Sequence, residues 1–85
     1  MEVNIFPNPT SELMNLQFIR LYGEKYTISV FDLHMNILHY IELPKTDHNM
    51  LYTHTFNLDI NRTGLYFIRL ESSDNQISKR FIYLE

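Results

Sequence analysis

Apolar residues alternate with polar residues in several short stretches of the chain, and turn-forming residues bound each stretch. A period of two is typical of β-strands that bury one face. We predict seven strands, at residues 3–6, 12–21, 26–33, 37–43, 51–58, 65–71 and 77–84. No stretch between them has a clear helical period, which leaves no crossover helix for a parallel sheet.

The stretch at residues 12–21 is compatible with two structures. Met14, Leu16 and Phe18 alternate with polar residues, as they would in a strand. Ser11 could instead cap a helix that carries Leu16 on its apolar face. A strand is favoured, because a turn and a second alternating stretch follow directly.

Turn residues predict where the strands end. Pro7-Asn8-Pro9 ends the first strand, because two prolines fix φ and remove two donors from the hydrogen-bond ladder. Residues 22–25 contain Gly23 and predict a hairpin between the second and third strands. Residues 59–64 predict a compact turn. Seven short strands with this spacing predict an all-β, immunoglobulin-like antiparallel β-sandwich that forms one domain over residues 1–85.

Composition and charge limit the classes of protein to which this chain can belong. The chain has 85 residues, 45% of them hydrophobic, and a formal charge of −3, which is typical of a globular domain. The seven Lys and Arg residues form no basic stripe, which argues against nucleic-acid binding. We see no transmembrane segment and no signal peptide. A secreted domain without its own signal would be a fragment of a longer protein, and we expect that of this chain.

We predict no catalytic, cofactor-binding or metal-binding residues, and therefore no enzyme. The four histidines, His34, His39, His48 and His54, match no zinc-binding spacing, and the chain has no cysteine. Gly23 and Gly64 are the only glycines, which leaves no glycine-rich phosphate loop and no Gly-x-Ser-x-Gly turn.

Four aromatic residues have two interpretations. Phe31, Tyr40, Phe67 and Tyr83 could form a strip on an outer sheet face that binds sugar or protein. Core packing is favoured, since a small domain must bury most of its aromatics. The strip would suit an accessory fibronectin-like or carbohydrate- or protein-binding module of a secreted enzyme, which is the alternative function for this chain.

Four separated segments carry a resemblance to a known family. They are Ile5-Phe6-Pro7-Asn8-Pro9, residues 26–32 ending in Phe31-Asp32, residues 59–66 ending in Gly64-Leu65-Tyr66, and Lys79-Arg80. In this order and spacing they resemble the type IX secretion system C-terminal sorting domain of Bacteroidota, also called the Por secretion system sorting domain. The resemblance covers nearly the whole chain.

The resemblance implies a secretion and sorting signal without cofactors. A cargo domain N-terminal to this chain would cross the outer membrane through the type IX translocon, meet its sortase-like machinery, and reach the cell surface or the medium. The matching positions implied as sorting residues are Pro7, Asn8, Pro9, Asp32, Gly64, Tyr66, Lys79 and Arg80. We expect recognition at the edge of the last strand or at its Lys79-Arg80 end. Edge-strand pairing could also form a homodimer.

Two backbone expectations accompany the resemblance. The family usually has a glycine about three residues after the aspartate, where this chain has Leu33-His34-Met35-Asn36. We therefore expect His34 or Asn36 to adopt a positive φ in that turn. We also expect Gly64 to supply a positive φ before Tyr66.

Overall fold

A computed structural model gives the structure of residues 2–10, 12–58 and 62–84. The chain forms β1 Val3–Phe6, β2 Leu13–Arg20, β3 Tyr26–Phe31, β4 Ile37–Leu43, β5 Met50–Asn57, β6 Gly64–Glu71 and β7 Gln76–Tyr83. The all-β prediction is confirmed, and the predicted strand bounds are correct to within two residues. Residues 12–21 form a strand and not a helix, while the proposed helix cap Ser11 lies outside the described residues.

The strands form two antiparallel sheets that pack face to face. One sheet has the order β1-β2-β5 and the other the order β4-β3-β6-β7. The chain crosses between the sheets after β2, after β4 and after β5. The prediction of a β-sandwich is therefore confirmed.

The predicted hairpin between the second and third strands is wrong. β2 pairs with β1 and β5, whereas β3 pairs with β4 and β6, so residues 21–25 cross from one sheet to the other. Gly23 has a φ of 75° in this crossing, and its amide donates to the carbonyl of Thr46 at 3.0 Å. The turn residues correctly marked where β2 ends, but a local turn signal does not identify the strand that will pair with β3.

The hydrophobic core lies between the two sheets. The most deeply buried apolar side chains come from β2, β3, β6 and β7 and include Met14, Leu16, Ile28, Val30, Ile68, Leu70 and Phe81. Phe18 packs against Tyr26 and Tyr52, with ring centroids 5.0 and 5.8 Å away. In a chain this small, a few large buried side chains supply most of the hydrophobic stabilisation.

The four aromatics of the predicted strip divide between the two faces of the β4-β3-β6-β7 sheet. Phe31 and Phe67 stack on the outer face with centroids 5.7 Å apart, and Tyr40 lies exposed on that face. Tyr83 is buried in the core, so the core-packing expectation is correct for Tyr83 alone. Phe31 is only 5% exposed, because Phe67 and the Arg69 guanidinium cover it. Of the three rings on the outer face, Tyr40 therefore has the most freely exposed surface.

The two ends of the sandwich hold different parts of the chain. Val3 pairs with Phe18 near the end of β2, and we call this the N-terminal end. Tyr83 pairs with Gly64 at the opposite end, which we call the C-terminal end. The longest dimension of the molecule is 39 Å. Among the described residues no helix has the length and apolar character needed to cross a membrane.

Candidate functional site

The Pro7-Asn8-Pro9 box carries the chain from the end of β1 to the edge of β7. The Asn8 side-chain oxygen accepts a hydrogen bond from the amide of Ile82 at 3.2 Å. The Thr10 amide donates to the carbonyl of Ile82 at 2.9 Å, and the Leu84 amide donates to the carbonyl of Thr10 at 2.7 Å. Thr10 is buried, while all three residues of the box are exposed. The segment thus covers the end of β7 and presents the box to solvent.

The remaining edge of β7 is open. β7 is the last strand of its sheet, and no described strand lies beyond it from Gln76 to Arg80. Lys79 and Arg80 are both exposed on this stretch. Their side chains point to opposite sides of the strand, because side chains alternate along a strand. Lys79 lies on the same side as the core residue Phe81, and a charge at this position disfavours pairing with an apolar or a basic strand.

Asp32 organises the turn between β3 and β4. Its carboxylate accepts hydrogen bonds from the amides of His34 and Asn36, both at 2.9 Å, and from the side-chain amide of Asn36 at 3.0 Å. These bonds stabilise the ionised form, so the Asn36 side chain first, and then the two backbone amides, lower the pKa of Asp32 below its ordinary value. Asp32 is therefore a structural anchor of this turn.

The residue with positive φ in this turn is Met35, with a φ of 66°. The expectation of His34 or Asn36 is wrong. The Asp32 amide donates to the carbonyl of Asn36 at 3.1 Å, which places Asn36 directly before the return strand β4. The chain must therefore reverse one residue earlier, at the position three residues after Asp32, where the family usually has glycine.

Replacing Met35 by glycine should raise the free energy of unfolding by about 0.5–1 kcal/mol. A non-glycine residue in the left-handed region costs roughly 1–2 kcal/mol, which glycine would recover. Glycine also makes the unfolded chain more flexible, and this cancels part of the gain in stability. Urea denaturation measures the change. Leu33→Gly is the matched control, since Leu33 has no positive φ and glycine there should not stabilise. A Met35→Gly variant no more stable than the natural chain would contradict this account of the turn.

Gly64 does not supply a positive φ, so that expectation is also wrong. Gly64 is the first residue of β6 and pairs with Tyr83, and its φ lies outside the left-handed region. A Cβ atom there would lie 3.8 Å from the Tyr66 ring, which is an ordinary van der Waals contact. Neither backbone conformation nor packing within the domain requires glycine at this position.

Tyr66 stabilises the C-terminal end from within. It is buried at 7% exposure, and its ring lies 5.9 Å from that of Phe81. Its hydroxyl donates to the carbonyl of Arg62 at 2.7 Å, four residues upstream. A tyrosine at the start of a strand that bonds back to the preceding backbone is typical of immunoglobulin-like sandwiches. Tyr66 therefore holds the chain that enters β6.

The C-terminal end brings together most of the residues predicted from the sequence. The Pro7-Asn8-Pro9 box and Gly64 both border the end of β7, and Asp32 lies two strands away, at roughly 10 Å. Asp32, Gly64 and Tyr66 contribute to one shallow pocket of about 160 Å³. Lys79 and Arg80 lie earlier in β7, away from this end of the sandwich. Thr10 was missed, because nothing local distinguishes this buried residue from an ordinary loop threonine.

His39 and His54 lie near each other beside the Phe56 ring, whereas His34 and His48 lie in turns. His54 is half-buried, with Nδ1 3.0 Å from the Tyr52 hydroxyl and its ring 4.6 Å from that of Phe56. Burial and the neighbouring His39 lower the pKa of His54. His48 contacts the carboxylate of Asp47 at 2.7 Å on the surface. Within residues 2–10, 12–58 and 62–84, no group of three or more His, Cys, Asp or Glu side chains could hold a metal ion.

Residues 4–84 match the model of a protein family described as the secretion system C-terminal sorting domain. The chain belongs to this family. The sorting domain is a C-terminal signal for type IX secretion, and it directs the protein that carries it through the outer membrane to the cell surface or the medium. Neither a curated protein nor a solved structure matches the chain significantly.

Family membership confirms the predicted function and localisation of the sorting domain. It implies a cargo N-terminal to the domain and the secretion machinery as partners. The family is not known for catalysis. The alternative function as an accessory binding module is not favoured. The roles of the individual residues predicted for sorting stay predictions.

Proposed function

We propose that the secretion machinery recognises the sorting domain at the β7 edge surface, which consists of the Pro7-Asn8-Pro9 box, Lys79 and Arg80. The outer-membrane translocon and its sortase-like machinery would bind this surface. The domain itself performs no chemistry in this proposal, and the cargo carries any activity.

The observation that carries the proposal is the division of the β7 edge into two parts. Thr10 pairs with the end of the strand, and the edge from Gln76 to Arg80 is open. An open edge can accept a strand from a partner through backbone hydrogen bonds alone. Lys79 and Arg80 add adjacent positive charges to a chain with a formal charge of −3.

The other three sorting residues have positioning roles in this proposal. Asp32 fixes the turn beside the C-terminal end through three hydrogen bonds. Tyr66 holds the backbone that enters β6, and β6 in turn pairs with β7 along its whole length. Gly64 lies opposite Tyr83 and lines the shallow pocket that Asp32 and Tyr66 also border. We assign close approach of a partner at this pocket, and not folding, as the reason for glycine at this position.

A homodimer through edge-strand pairing stays a prediction. Among the described strands, β1, β4, β5 and the open part of β7 have edges on which two copies could pair. Because pairing of two β7 strands would bring together the positive charges of Lys79 and Arg80 from both copies, we expect any such pairing to use β1, β4 or β5.

Reversing both charges of the β7 edge surface should block export. A secreted reporter that ends in this chain and carries Lys79→Glu with Arg80→Glu should reach the medium or cell surface at one-tenth or less of the natural level. The reason is that two negative charges would replace the two positive charges that complement the partner surface. Folding should be little affected, because both side chains are exposed. Export is measured by reporter activity in cell fractions.

The matched control carries Lys25→Glu with Lys45→Glu. Both lysines are exposed and lie at the N-terminal end, and the change in formal charge is identical. This variant should be exported normally. Equal export of the two charge-reversed variants, with both folded, would refute recognition at the β7 edge surface.

A further inference from the structure

β1 covers only part of the neighbouring strand. It pairs with Asn15–Phe18 of β2, whereas β2 continues to Arg20. Ile19 and Arg20 pair with β5 on the other side, opposite Leu51 and Met50. On the β1 side no described strand pairs with them. The end of β2 therefore has one open edge, next to the point where the chain enters the sandwich.

A cleft of about 380 Å³ lies beside this open edge. It is lined by Glu2, Ile19, Leu21, Glu24, Tyr26, Ser72 and Asn75. Its apolar side chains are accessible, since Ile19 is 52% exposed and Leu21 is 47% exposed. Tyr26 is buried and its hydroxyl accepts a hydrogen bond from the amide of Leu21 at 3.1 Å, which fixes Leu21 at the cleft. A volume of this size accommodates one or two side chains.

The position of the cargo identifies what covers this cleft. In a C-terminal sorting domain the cargo lies N-terminal, so the parent chain must enter at the N-terminal end, where Glu2 already lines the cleft. We propose that the segment of the parent protein leading into Glu2 extends β1 along the open edge of β2 and places an apolar side chain in the cleft over Leu21. This inference rests on family membership and is independent of recognition at the β7 edge surface.

The register and the charges define the chemistry of this segment. Continuing the pairing of Val3 with Phe18 places Glu2 opposite Ile19, and further residues then run antiparallel past Arg20 and Leu21. Side chains alternate along a strand, so every second residue of the segment faces the same side as Ile19. The cleft carries two carboxylates, those of Glu2 and Glu24. We therefore expect an extended segment with apolar residues at alternate positions and Lys or Arg in preference to Asp or Glu.

Thiol labelling of the full-length parent protein tests the inference directly. This chain has no cysteine, so Leu21→Cys gives the domain one thiol, whose modification is followed on its own peptide by mass spectrometry. We compare the natural parent with a parent in which the residues leading into the domain are replaced by a Gly-Ser linker of equal length. Cys substitution at position 21 should be labelled at least tenfold more slowly in the natural parent.

Leu33→Cys is the matched control. Leu33 is 60% exposed and lies in the turn at the opposite end of the sandwich, so its labelling should not depend on the linker. Equal rapid labelling of Leu21→Cys in both parents would show that the cleft is open and overturn the inference. Equal slow labelling in both would show that the folded cargo, and not the segment, covers the cleft, and would overturn it equally. Reporter export is not affected by either result, so failure here is separable from failure at β7.

Discussion

Replacing Phe81 by alanine should lower the free energy of unfolding by about 3–5 kcal/mol. Phe81 is 1% exposed and is the largest of the fully buried side chains. Its removal would leave a cavity between the sheets beside Tyr66, whose ring is 5.9 Å away. Domains of this kind have a total stability of roughly 5–15 kcal/mol, so the variant should be largely destabilised. Urea denaturation followed by circular dichroism measures the effect.

Ile82→Ala is the control for this prediction. Ile82 is the next residue of β7 and is 46% exposed on the opposite face. Its replacement should cost less than about 1 kcal/mol. If the two variants lost equal stability, the assignment of inward and outward faces along β7 would be incorrect.

The second large effect is expected at Tyr66. Tyr66→Ala removes a buried ring and a hydrogen bond and should cost about 3–5 kcal/mol. Tyr66→Phe removes only the hydrogen bond from the hydroxyl to the carbonyl of Arg62 and should cost about 0.5–1.5 kcal/mol. The same denaturation experiment separates the contribution of the ring from that of the hydroxyl.

Export of the Tyr66 variants tests whether this residue positions the surface or contacts the machinery. A reporter that ends in the Tyr66→Phe domain should be exported at nearly the natural level, because the fold is retained. Export of the Tyr66→Ala fusion should fall in proportion to its folded fraction. Loss of export in a folded Tyr66→Phe fusion would mean that the machinery contacts the hydroxyl, contrary to the positioning role assigned to it.

The strands and their buried faces could be predicted from the sequence because both are local properties. The alternation of Tyr26, Ile28 and Val30 with Thr27 and Ser29 indicated a strand, and all three apolar residues lie in the core. Pairing could not be predicted in the same way. The turn signal after β2 resembled a hairpin, whereas β3 pairs with β6, whose residues lie some forty positions later in the chain.

The sorting residues were predicted by resemblance, and their structural surroundings became clear from the structure alone. Nothing in the sequence indicated that Met35 would adopt the positive φ, because that depends on the carboxylate of Asp32 and the carbonyl of Asn36. The burial of Tyr66 and the pairing of Thr10 with β7 depend on contacts between distant parts of the chain. A motif marks positions in sequence and does not distinguish exposed contact residues from buried supports.

The most direct test of the central claim is the export of a reporter with a signal peptide at its N-terminus and this chain at its C-terminus. The fusion is expressed in a Bacteroidota strain with a working type IX translocon and in a matched strain without one, and protease resistance confirms that the domain is folded. The account predicts that the reporter reaches the surface or the medium only in the first strain. Retention of the folded fusion in the periplasm of the first strain would contradict it.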